Sequence, residues 1–481
     1  MAAEPGLTAR GEFDAVVVGS GPNGLVAAAT LGIAGWRVLV LEAEHEFGGG
    51  TRSEALTLPG FVHDVCSAIH PLGGASPAMR SLPLAEHGLE WIHPDVPLAH
   101  PVDGGRVGLL HRDVDVTADG LGDDGRTYRR LVERFVESGG PLIDALMSPL
   151  DVPPKHPLLL ARYGAIGLLP ATVVARRFRT DEAGGMFSGL AAHSMLSLRS
   201  PLTSGFGLFL GVLAHAVGWP MAKGGSRAIA QALAAVVVEN GGTIVCDHRV
   251  TTLRDLPPAR ATLLDLTPRQ VLAIDDGRLP ARYRRTLGRY RYGPGVFKID
   301  WALDGPIPWA NPAAARAATV HLGGTAREIA AAELDVQQGR VAERPFTLLA
   351  QQSLFDPSRA PAGKHTAWAY CHVPAGSTVD MTAAIEAQAE RFAPGFRDQI
   401  LARHVMGPAA VEAHDANYVG GDINGGRSDL RQFFARPQLS LHPWATPAPG
   451  LYLCSSSTPP GGGVHGMCGW NAAKLVLHRN R

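Results

Sequence analysis

The sequence predicts an α/β fold that is built around a buried parallel sheet. Residues 15–18 form an uninterrupted apolar run, as is typical of a parallel strand that is covered on both faces. The run leads into a glycine turn and then into the small-residue stretch 25–34, which predicts a helix. A second apolar strand, residues 37–41, ends at Glu42. Strand, turn, helix and strand in this order predict a Rossmann-like dinucleotide-binding unit.

The glycine turn has the spacing G-x-G-x-x-G. The first glycine permits the tight turn, the second lets the backbone approach a pyrophosphate, and the third lets helix and strand pack closely. Glu42 lies where a carboxylate accepts hydrogen bonds from an adenosine ribose. The unit therefore predicts an adenine dinucleotide with its phosphates at the helix N-terminus. The expected contacts are Gly19, Ser20, Gly21, Pro22, Asn23, Gly24, Glu42 and Ala43.

A second glycine motif follows Glu42, where the chain reads AEHEFGGGTRSEALTLPGF. Gly48 and Gly49, with Arg52 and Ser53 behind them, resemble the double-glycine extension of flavoproteins in the amine oxidase and phytoene desaturase superfamily. In that superfamily the extension continues the cofactor site toward the pyrophosphate and the flavin. The resemblance implies that the cofactor is FAD rather than a nicotinamide dinucleotide, and that these four residues contact it.

The nucleotide-binding unit is predicted to be discontinuous. After Lys223, two glycines precede a helix over 226–240 and a strand over 243–250, and another apolar strand covers 261–268. This resembles the second pass of the flavin domain in the same superfamily, where a valine holds adenine through its backbone, and Val250 matches that valine. The predicted FAD-binding domain comprises 1–75, 220–285 and 437–481, and the predicted substrate domain comprises 76–219 and 286–436.

Two segments of the predicted substrate domain, 157–178 and 189–218, are apolar with few charges. Arg162 and Pro170 interrupt the first, so it lacks the run of about 18 uncharged apolar residues that a membrane-spanning helix requires. The alternatives for 157–178 are a buried or lid helix pair, and a monotopic surface that admits a lipid-like substrate from a membrane. Together the two segments are expected to wall a long hydrophobic cavity.

Later segments predict a mixed sheet with covering helices. Strands are expected over 292–304, 348–355 and 367–373, and a helix over 381–392. Alternation within the first of these strands places three side chains on one face: Phe297, Ile299 and Trp301. The glycine-rich segment 417–426 is either a plain turn or a loop near the flavin.

The chain from Gly450 onward predicts a short strand, a proline-glycine loop and a final helix. The loop reads SSSTPPGGGVHG, and its glycines can present bare amides at the helix N-terminus toward the flavin and the pyrophosphate. The predicted contacts are Gly462, Gly463 and Val464. Many relatives in the wider superfamily carry an acidic residue in this loop, which binds a ribityl hydroxyl of the flavin. This chain has serine at 455–457 instead. Carotenoid desaturases often lack the acidic residue as well.

The glycine turn, double glycine, internal unit and terminal loop together resemble the phytoene-desaturase-related flavoproteins, particularly the bacterial phytoene-dehydrogenase-like proteins. The resemblance covers essentially the whole chain. It implies an α/β fold in which a discontinuous FAD-binding domain is interleaved with a substrate domain of mixed sheet and helices. It also implies noncovalent FAD and redox chemistry on an apolar compound.

The implied activity is that of an FAD-dependent oxidoreductase, which desaturates or in reverse reduces a hydrophobic polyene or lipid-like substrate by hydride transfer to flavin N5. The alternatives are a redox-neutral isomerase that moves double bonds with reduced flavin, and a flavin-binding protein without turnover. No acid-base pair is required. If a proton moves, His465 is the first candidate, ahead of His193, His215 and Lys223, and a structural role is the alternative for each histidine.

Composition argues against other classes of protein. The chain of 481 residues is long enough for two or three domains, and its 44 basic and 44 acidic side chains leave no net charge to attract nucleic acid. It has no G-x-S-x-G elbow of a hydrolase. Five cysteines without a C-x-x-C pair favour reduced thiols over a disulfide framework or a zinc site.

The remaining expectations concern metals and location. His63, Asp64 and His70 have poor metal-ligand spacing, so we expect no metal and instead place Asp64 and Ser67 toward the cofactor. Residues 1–12 predict a polar leader without a secretory signal. We therefore expect a cytoplasmic protein with a hydrophobic small-molecule substrate, no nucleic-acid partner, and peripheral contact with the inner face of the membrane. The oligomeric state is left open.

Overall fold

The computed structural model describes residues 13–148 and 153–481, so the polar leader predicted over 1–12 lies outside the described residues. The α/β class is confirmed, with one parallel and one mixed sheet. In chain order the strands are β1 (Ala15–Val18), β2 (Val38–Leu41), β3 (Ser53–Glu54), β4 (His63–Asp64), β5 (Trp91–Ile92), β6 (Val96–Val102), β7 (Arg106–Leu110), β8 (Met221–Ala222), β9 (Thr243–Val245), β10 (Ala261–Leu264), β11 (Gly295–Leu303), β12 (Ala317–Leu322), β13 (Thr347–Ala350), β14 (His365–Val373), β15 (Ile400–Met406) and β16 (Leu451–Leu453).

The α-helices connect and cover these strands. In chain order they are α1 (Pro22–Ile33), α2 (Pro71–Ala75), α3 (Pro77–Arg80), α4 (Val114–Gly120), α5 (Gly125–Glu137), α6 (Gly139–Met147), α7 (Pro157–Gly167), α8 (Ala171–Ala175), α9 (Asp181–Ala192), α10 (Thr203–Ala216), α11 (Arg227–Glu239), α12 (Pro268–Ile274), α13 (Ala281–Gly288), α14 (Ala326–Gln337), α15 (Thr382–Phe392), α16 (Pro408–His414), α17 (Leu430–Phe434) and α18 (Met467–Arg479).

The parallel sheet has the strand order β16-β10-β1-β2-β9. Its strands are short apolar runs, and β1, β2 and β10 are buried along their whole length. Helix α1 packs against α11 and α18. The approach of α18 is close because Gly469 has no side chain: a methyl group there would lie 1.8 Å from the Asn23 carbonyl oxygen. This packing fixes the glycine turn at the carboxyl end of β1.

The mixed sheet has the order β15-β11-β14-β13-β12-β6-β7, in which β6 and β12 are parallel and the other neighbours antiparallel. Segments of the two sheets alternate along the chain, as an interleaved architecture requires. The domain boundaries at 75, 220, 285 and 437 stay predictions.

Several predicted elements end earlier than the sequence pattern suggests. The strand predicted over 243–250 stops at Val245, because Asp247 adopts a φ of +55°, which interrupts an extended ladder. The strand predicted over 261–268 stops at Leu264, since Pro268 begins helix α12. The strand predicted over 348–355 is Thr347–Ala350, and a 3₁₀ turn follows it.

The apolar segment 157–178 forms two helices, α7 and α8, which Leu168 to Pro170 separate. Two helices agree with the helix-pair alternative, and the monotopic surface stays a prediction, because Gly167 is the one buried residue of α7. None of the helices within 13–148 and 153–481 is long and apolar enough to cross a membrane.

Candidate functional site

One cavity of about 1090 Å³ runs from the parallel sheet to the mixed sheet. Val18, Leu41 and Asp265 line it at the carboxyl ends of parallel strands. Lys298, on the mixed sheet, lies on the opposite wall. Ligands of open parallel sheets bind outside the carboxyl ends of the strands, so this cavity is the candidate site.

The glycine turn forms a cradle with no room for side chains. A methyl group on Gly21 would lie 2.8 Å from Asp265 Oδ2, and one on Gly24 would lie 2.1 Å from the Gly19 carbonyl oxygen. Gly19 itself has a φ of +96°, which favours glycine. Pro22 opens helix α1 and so directs the helix N-terminus at the cavity. The cradle fits the pyrophosphate of a dinucleotide.

Glu42 closes the cradle at the end of β2. Its Oε2 accepts hydrogen bonds from the Ser20 backbone N–H at 2.9 Å and from the Ser20 hydroxyl, and its Oε1 accepts one from the Glu44 N–H at 3.0 Å. A carboxylate oxygen has two lone pairs, so Oε1 can accept a further bond from a ribose hydroxyl. The side chain lines the cavity and is held in one orientation by the turn it serves.

The structure brings most of the predicted site residues to this one cavity. Those that line it are Gly19, Ser20, Gly21, Pro22, Asn23, Glu42, Ala43, Gly49, Arg52, Val250, Gly462, Gly463, Val464 and His465. Both apolar segments line it too, through Leu160 and Tyr163 of α7 and Phe206 and Phe209 of α10. The glycine-rich segment 417–426 lines it through Tyr418 and Asn424. Its place near the flavin stays a prediction.

Gly24, Gly48 and Ser53 lie behind the cavity wall. Gly24 allows the close crossing described above, and Gly48 allows another, because a methyl group on it would lie 2.9 Å from Ala230 Cβ. Ser53 is a correction. Its hydroxyl donates to Asp64 Oδ1 at 2.8 Å and accepts from the Arg227 N–H at 3.1 Å, so it braces the wall and does not face a ligand.

Asp64 is also turned away from the cavity, whereas Ser67 lines it. The Asp64 carboxylate lies 2.7 Å from Arg359 Nη2, and both side chains are buried. Burial alone would raise the pKa of Asp64, but Arg359 and the hydrogen bonds from Ser226 and Ser53 outweigh burial and lower it. In the part of the chain that the structure describes, no group of three or more His, Cys, Asp or Glu side chains could hold a metal ion.

His465 lines the cavity but has no nitrogen free for proton transfer. Its Nδ1 accepts a hydrogen bond from the Met467 N–H at 3.0 Å, and its Nε2 lies 3.2 Å from the Gly461 carbonyl oxygen. Burial lowers its pKa to about 4. The neutral ring therefore shapes the terminal loop, and the first catalytic candidate from the sequence is corrected to a structural residue.

The other proton-transfer candidates differ in position. His193 lines the cavity, with its Nε2 3.0 Å from His321 Nε2, and burial lowers its pKa to about 3. His215 lies off the cavity and bonds to the Tyr128 hydroxyl at 2.6 Å. Lys223 pairs at the surface with Glu90. His193 alone of these three contacts the cavity.

Sequence reasoning missed the wall that the mixed sheet contributes. Lys298, Tyr370 and Leu348 are directly opposite one another on β11, β14 and β13, and all three line the cavity. Lys298 is buried and pairs with the equally buried Asp300. The alternation that assigns Phe297, Ile299 and Trp301 to one face already implies that Lys298 and Asp300 share the other face. That signal was present in the sequence.

Arg436 is a second cavity residue that the sequence analysis does not identify, because no sequence motif surrounds it. It is buried and donates to the backbone oxygens of Ser456, at 2.8 Å, and Asn424, at 2.8 Å. A methyl group on Gly462 would lie 2.8 Å from Asn424 Cα. Arg436 thus ties the loop 417–426 to the terminal loop, where Ser455 and Ser456 line the cavity in place of an acidic residue.

Comparisons with known proteins agree with this geometry. The sequence model of the NAD(P)-binding Rossmann-like domain matches residues 17–82. The mouse pyridine nucleotide-disulfide oxidoreductase domain-containing protein 2 is 27% identical, over 97% of this chain and 93% of the relative. Phytoene dehydrogenase of Streptomyces griseus is 27% identical, over 82% of this chain and 79% of the relative.

Solved structures share the fold. An oxidoreductase from Methanosarcina mazei superposes with a TM-score of 0.63 at 17% identity, covering 96% of this chain and 99% of that one. Putrescine oxidase superposes with a TM-score of 0.61 at 16% identity, covering 97% and 99%. The chain is thus homologous to pyridine nucleotide-disulfide oxidoreductase domain-containing protein 2 and, more weakly, to phytoene dehydrogenase, and it shares its fold with solved oxidoreductases.

Proposed function

We propose that the chain is an FAD-dependent oxidoreductase that desaturates, or in reverse reduces, a hydrophobic polyene or lipid-like compound. One observation carries this proposal: a single cavity joins the dinucleotide cradle to an apolar chamber on the mixed sheet. A nicotinamide dinucleotide would occupy the cradle, but it would not account for the double-glycine and terminal loops that line the same cavity.

The residues present fit FAD. The glycine cradle, Glu42 and Val250 would hold the adenosine and pyrophosphate, and Gly49, Gly462 and Gly463 would leave room for the remainder. When bound, FAD supplies a hydride acceptor at N5. Noncovalent binding fits the cysteine that lines the cavity, Cys66, because it is only partly exposed and desolvation raises the pKa of its thiol to about 12, which leaves little reactive thiolate.

The chain's own residues bind, orient and exclude water. Leu210, Phe209 and Leu348 make the chamber apolar, so it favours a hydrocarbon body over water. Lys298 lines the wall as one partner of a buried ion pair with Asp300, so its charge is compensated by that carboxylate. No proton step is assigned to His465, because both of its ring nitrogens are engaged.

Anaerobic reduction of the bound flavin tests the proposal. Purified protein is mixed without oxygen with an extract of the host's apolar lipids, and the visible spectrum is followed. We expect the oxidised-flavin absorption to bleach, because hydride leaves the substrate for the flavin. A flavin that never bleaches contradicts the desaturase and favours the isomerase or the protein without turnover.

We also propose that the cavity opens toward an anionic membrane surface. Four exposed apolar side chains line its outer end, which we term the cavity mouth: Phe433 (50% exposed), Phe434 (54%), Leu439 (82%) and Leu441 (73%). Exposed clusters of this kind mark interaction sites more often than free surface. A lipid-like substrate could then enter without crossing water.

Charge supports an anionic surface in particular. No acidic residue occurs in 152–180 or in 430–481, and each stretch carries five Lys or Arg residues. The two stretches approach each other at Lys155 and Lys474, since burial and then repulsion from Lys155 lower the pKa of Lys474. Arg436 of the second stretch is buried, and the other basic groups of the two stretches would supply the attraction to anionic lipids that accompanies an exposed apolar surface. Binding to phospholipid vesicles tests this contact.

A further inference from the structure

Asp265 occupies the centre of the dinucleotide cradle. It follows strand β10 directly, lines the cavity and is buried. Its Oδ2 accepts a hydrogen bond from the Gly24 N–H at 2.8 Å and lies 2.8 Å from where a methyl group on Gly21 would stand. A carboxyl group therefore fills the helix N-terminus at which a pyrophosphate is expected.

The groups that face Asp265 are acidic or weakly acidic. Asp265 interacts electrostatically with Glu42, which follows β2, and with Asp415, which follows α16. Three weaker acids interact with it as well: Tyr418, Cys454 and Cys468. The pKa of Asp265 is raised to about 8: burial is the largest cause, Asp415 and Glu42 add to it, and the hydrogen bond from the Gly24 N–H opposes it. The pKa of each of the tyrosine and the two thiols is raised, so they stay protonated near neutral pH.

Two negative charges of a pyrophosphate would meet this carboxyl group at close range. An ionised Asp265 would repel them in a site of low polarity, and it could not donate a hydrogen bond. A protonated Asp265 accepts from Gly24 through Oδ2 and has its second oxygen available as a donor. Within the described residues, Oδ1 makes no hydrogen bond.

We propose that Asp265 binds the dinucleotide as a neutral carboxylic acid, which donates its proton in a hydrogen bond to the pyrophosphate. The inference rests on the proposed function, because it takes FAD as the ligand. Asp265 would then be a cofactor-binding side chain whose protonation depends on pH. In such a turn the pyrophosphate is ordinarily bound by backbone amides.

Proton linkage gives the expected pH dependence. The pyrophosphate raises the pKa of Asp265 above its value of about 8 in the free protein. Below that value the acid is already protonated, so FAD affinity does not change with pH. Above it, binding must take up a proton, and the affinity falls by up to about tenfold for each pH unit.

The test is FAD binding to the apoprotein, followed by quenching of flavin fluorescence from about pH 6 to about pH 9.5. We expect the wild-type dissociation constant to be flat below pH 7 and to rise above pH 8. Asp265→Asn keeps the shape and the donor but cannot ionise, so its dissociation constant should be flat throughout. Asp415→Asn removes a charge that raises the pKa of Asp265 but leaves the Asp265 carboxyl group in place, so its alkaline rise should persist and begin at a lower pH than in the wild type.

Each other outcome has a defined meaning. A flat wild-type profile, or an Asp265→Asn profile with the wild-type slope, overturns the inference while leaving FAD binding intact. Failure of wild-type protein to bind FAD at any pH overturns the proposed function itself. If Asp265→Asn does not fold by circular dichroism, calorimetry of wild-type binding in two buffers decides: uptake of close to one proton above pH 8 supports the inference, and none overturns it.

Discussion

Replacing Gly24 with alanine is expected to abolish FAD binding. The added methyl group would stand 2.1 Å from the Gly19 carbonyl oxygen, and Asp265 Oδ2 lies 3.0 Å away on another side. The Gly19 backbone and the buried Asp265 carboxyl group cannot easily move away from the added methyl group. Helix α1 must therefore shift away from β1. That movement opens the cradle and removes the Gly24 N–H from Asp265. We expect at least about 100-fold weaker binding, since such a loss corresponds to only about 2.7 kcal/mol.

Gly140→Ala is the matched control for this substitution. Gly140 lies in helix α6 with no atom within 4 Å of an added methyl group. It should bind FAD normally and be slightly more stable, by about 0.5 kcal/mol, because alanine favours a helix over the unfolded chain. Fluorescence titration with FAD measures both variants. Normal FAD affinity in Gly24→Ala would contradict the role assigned to the cradle.

Replacing Leu439 and Leu441 together with aspartate is expected to weaken binding to anionic vesicles about 100-fold. Each leucine that enters a lipid interface contributes at least about 1.5 kcal/mol, and about 1.4 kcal/mol is a tenfold change in affinity. Both side chains are largely exposed, so the folded protein should tolerate the change. Sedimentation with vesicles of phosphatidylglycerol and phosphatidylcholine measures the binding.

Val238→Asp with Leu401→Asp is the control pair. Both positions are exposed, at 59% and 46%, and neither lines the cavity. This pair should bind vesicles as the wild type does, and pure phosphatidylcholine should bind all variants weakly, because the basic stretches then find no anionic partner. Equal losses in both pairs, or no wild-type binding to anionic vesicles, would contradict the membrane contact.

The parts of the fold that the sequence predicts best are those that local chemistry determines. The strands β1, β2 and β10 are uninterrupted apolar runs, and a glycine turn that no side chain can enter follows β1. The ends of elements were less predictable. Asp247 stops β9 through its backbone conformation, and that depends on the tertiary path of the chain.

The residues of the site likewise fall into those that a sequence motif identifies and those that it does not. Residues next to a motif, such as Glu42 and Gly463, line the cavity, and their contact with a cofactor stays a prediction. Ser53 and His465 belong to motifs as well, but their polar atoms are satisfied by neighbours that are distant or on the backbone, which no motif records. No motif marks Asp265, because the Gly24 N–H that it binds lies in the glycine turn, 241 residues away in the sequence.

We propose above that the cavity holds FAD noncovalently. The most direct measurement is to denature the purified protein in acid and to identify the released cofactor by chromatography and mass spectrometry, after incubation with FAD if none is retained. The account predicts FAD in the supernatant at close to one molecule per chain, with no flavin left on the precipitated protein. A nicotinamide dinucleotide in its place, flavin that stays attached to the chain, or no dinucleotide at all would contradict it.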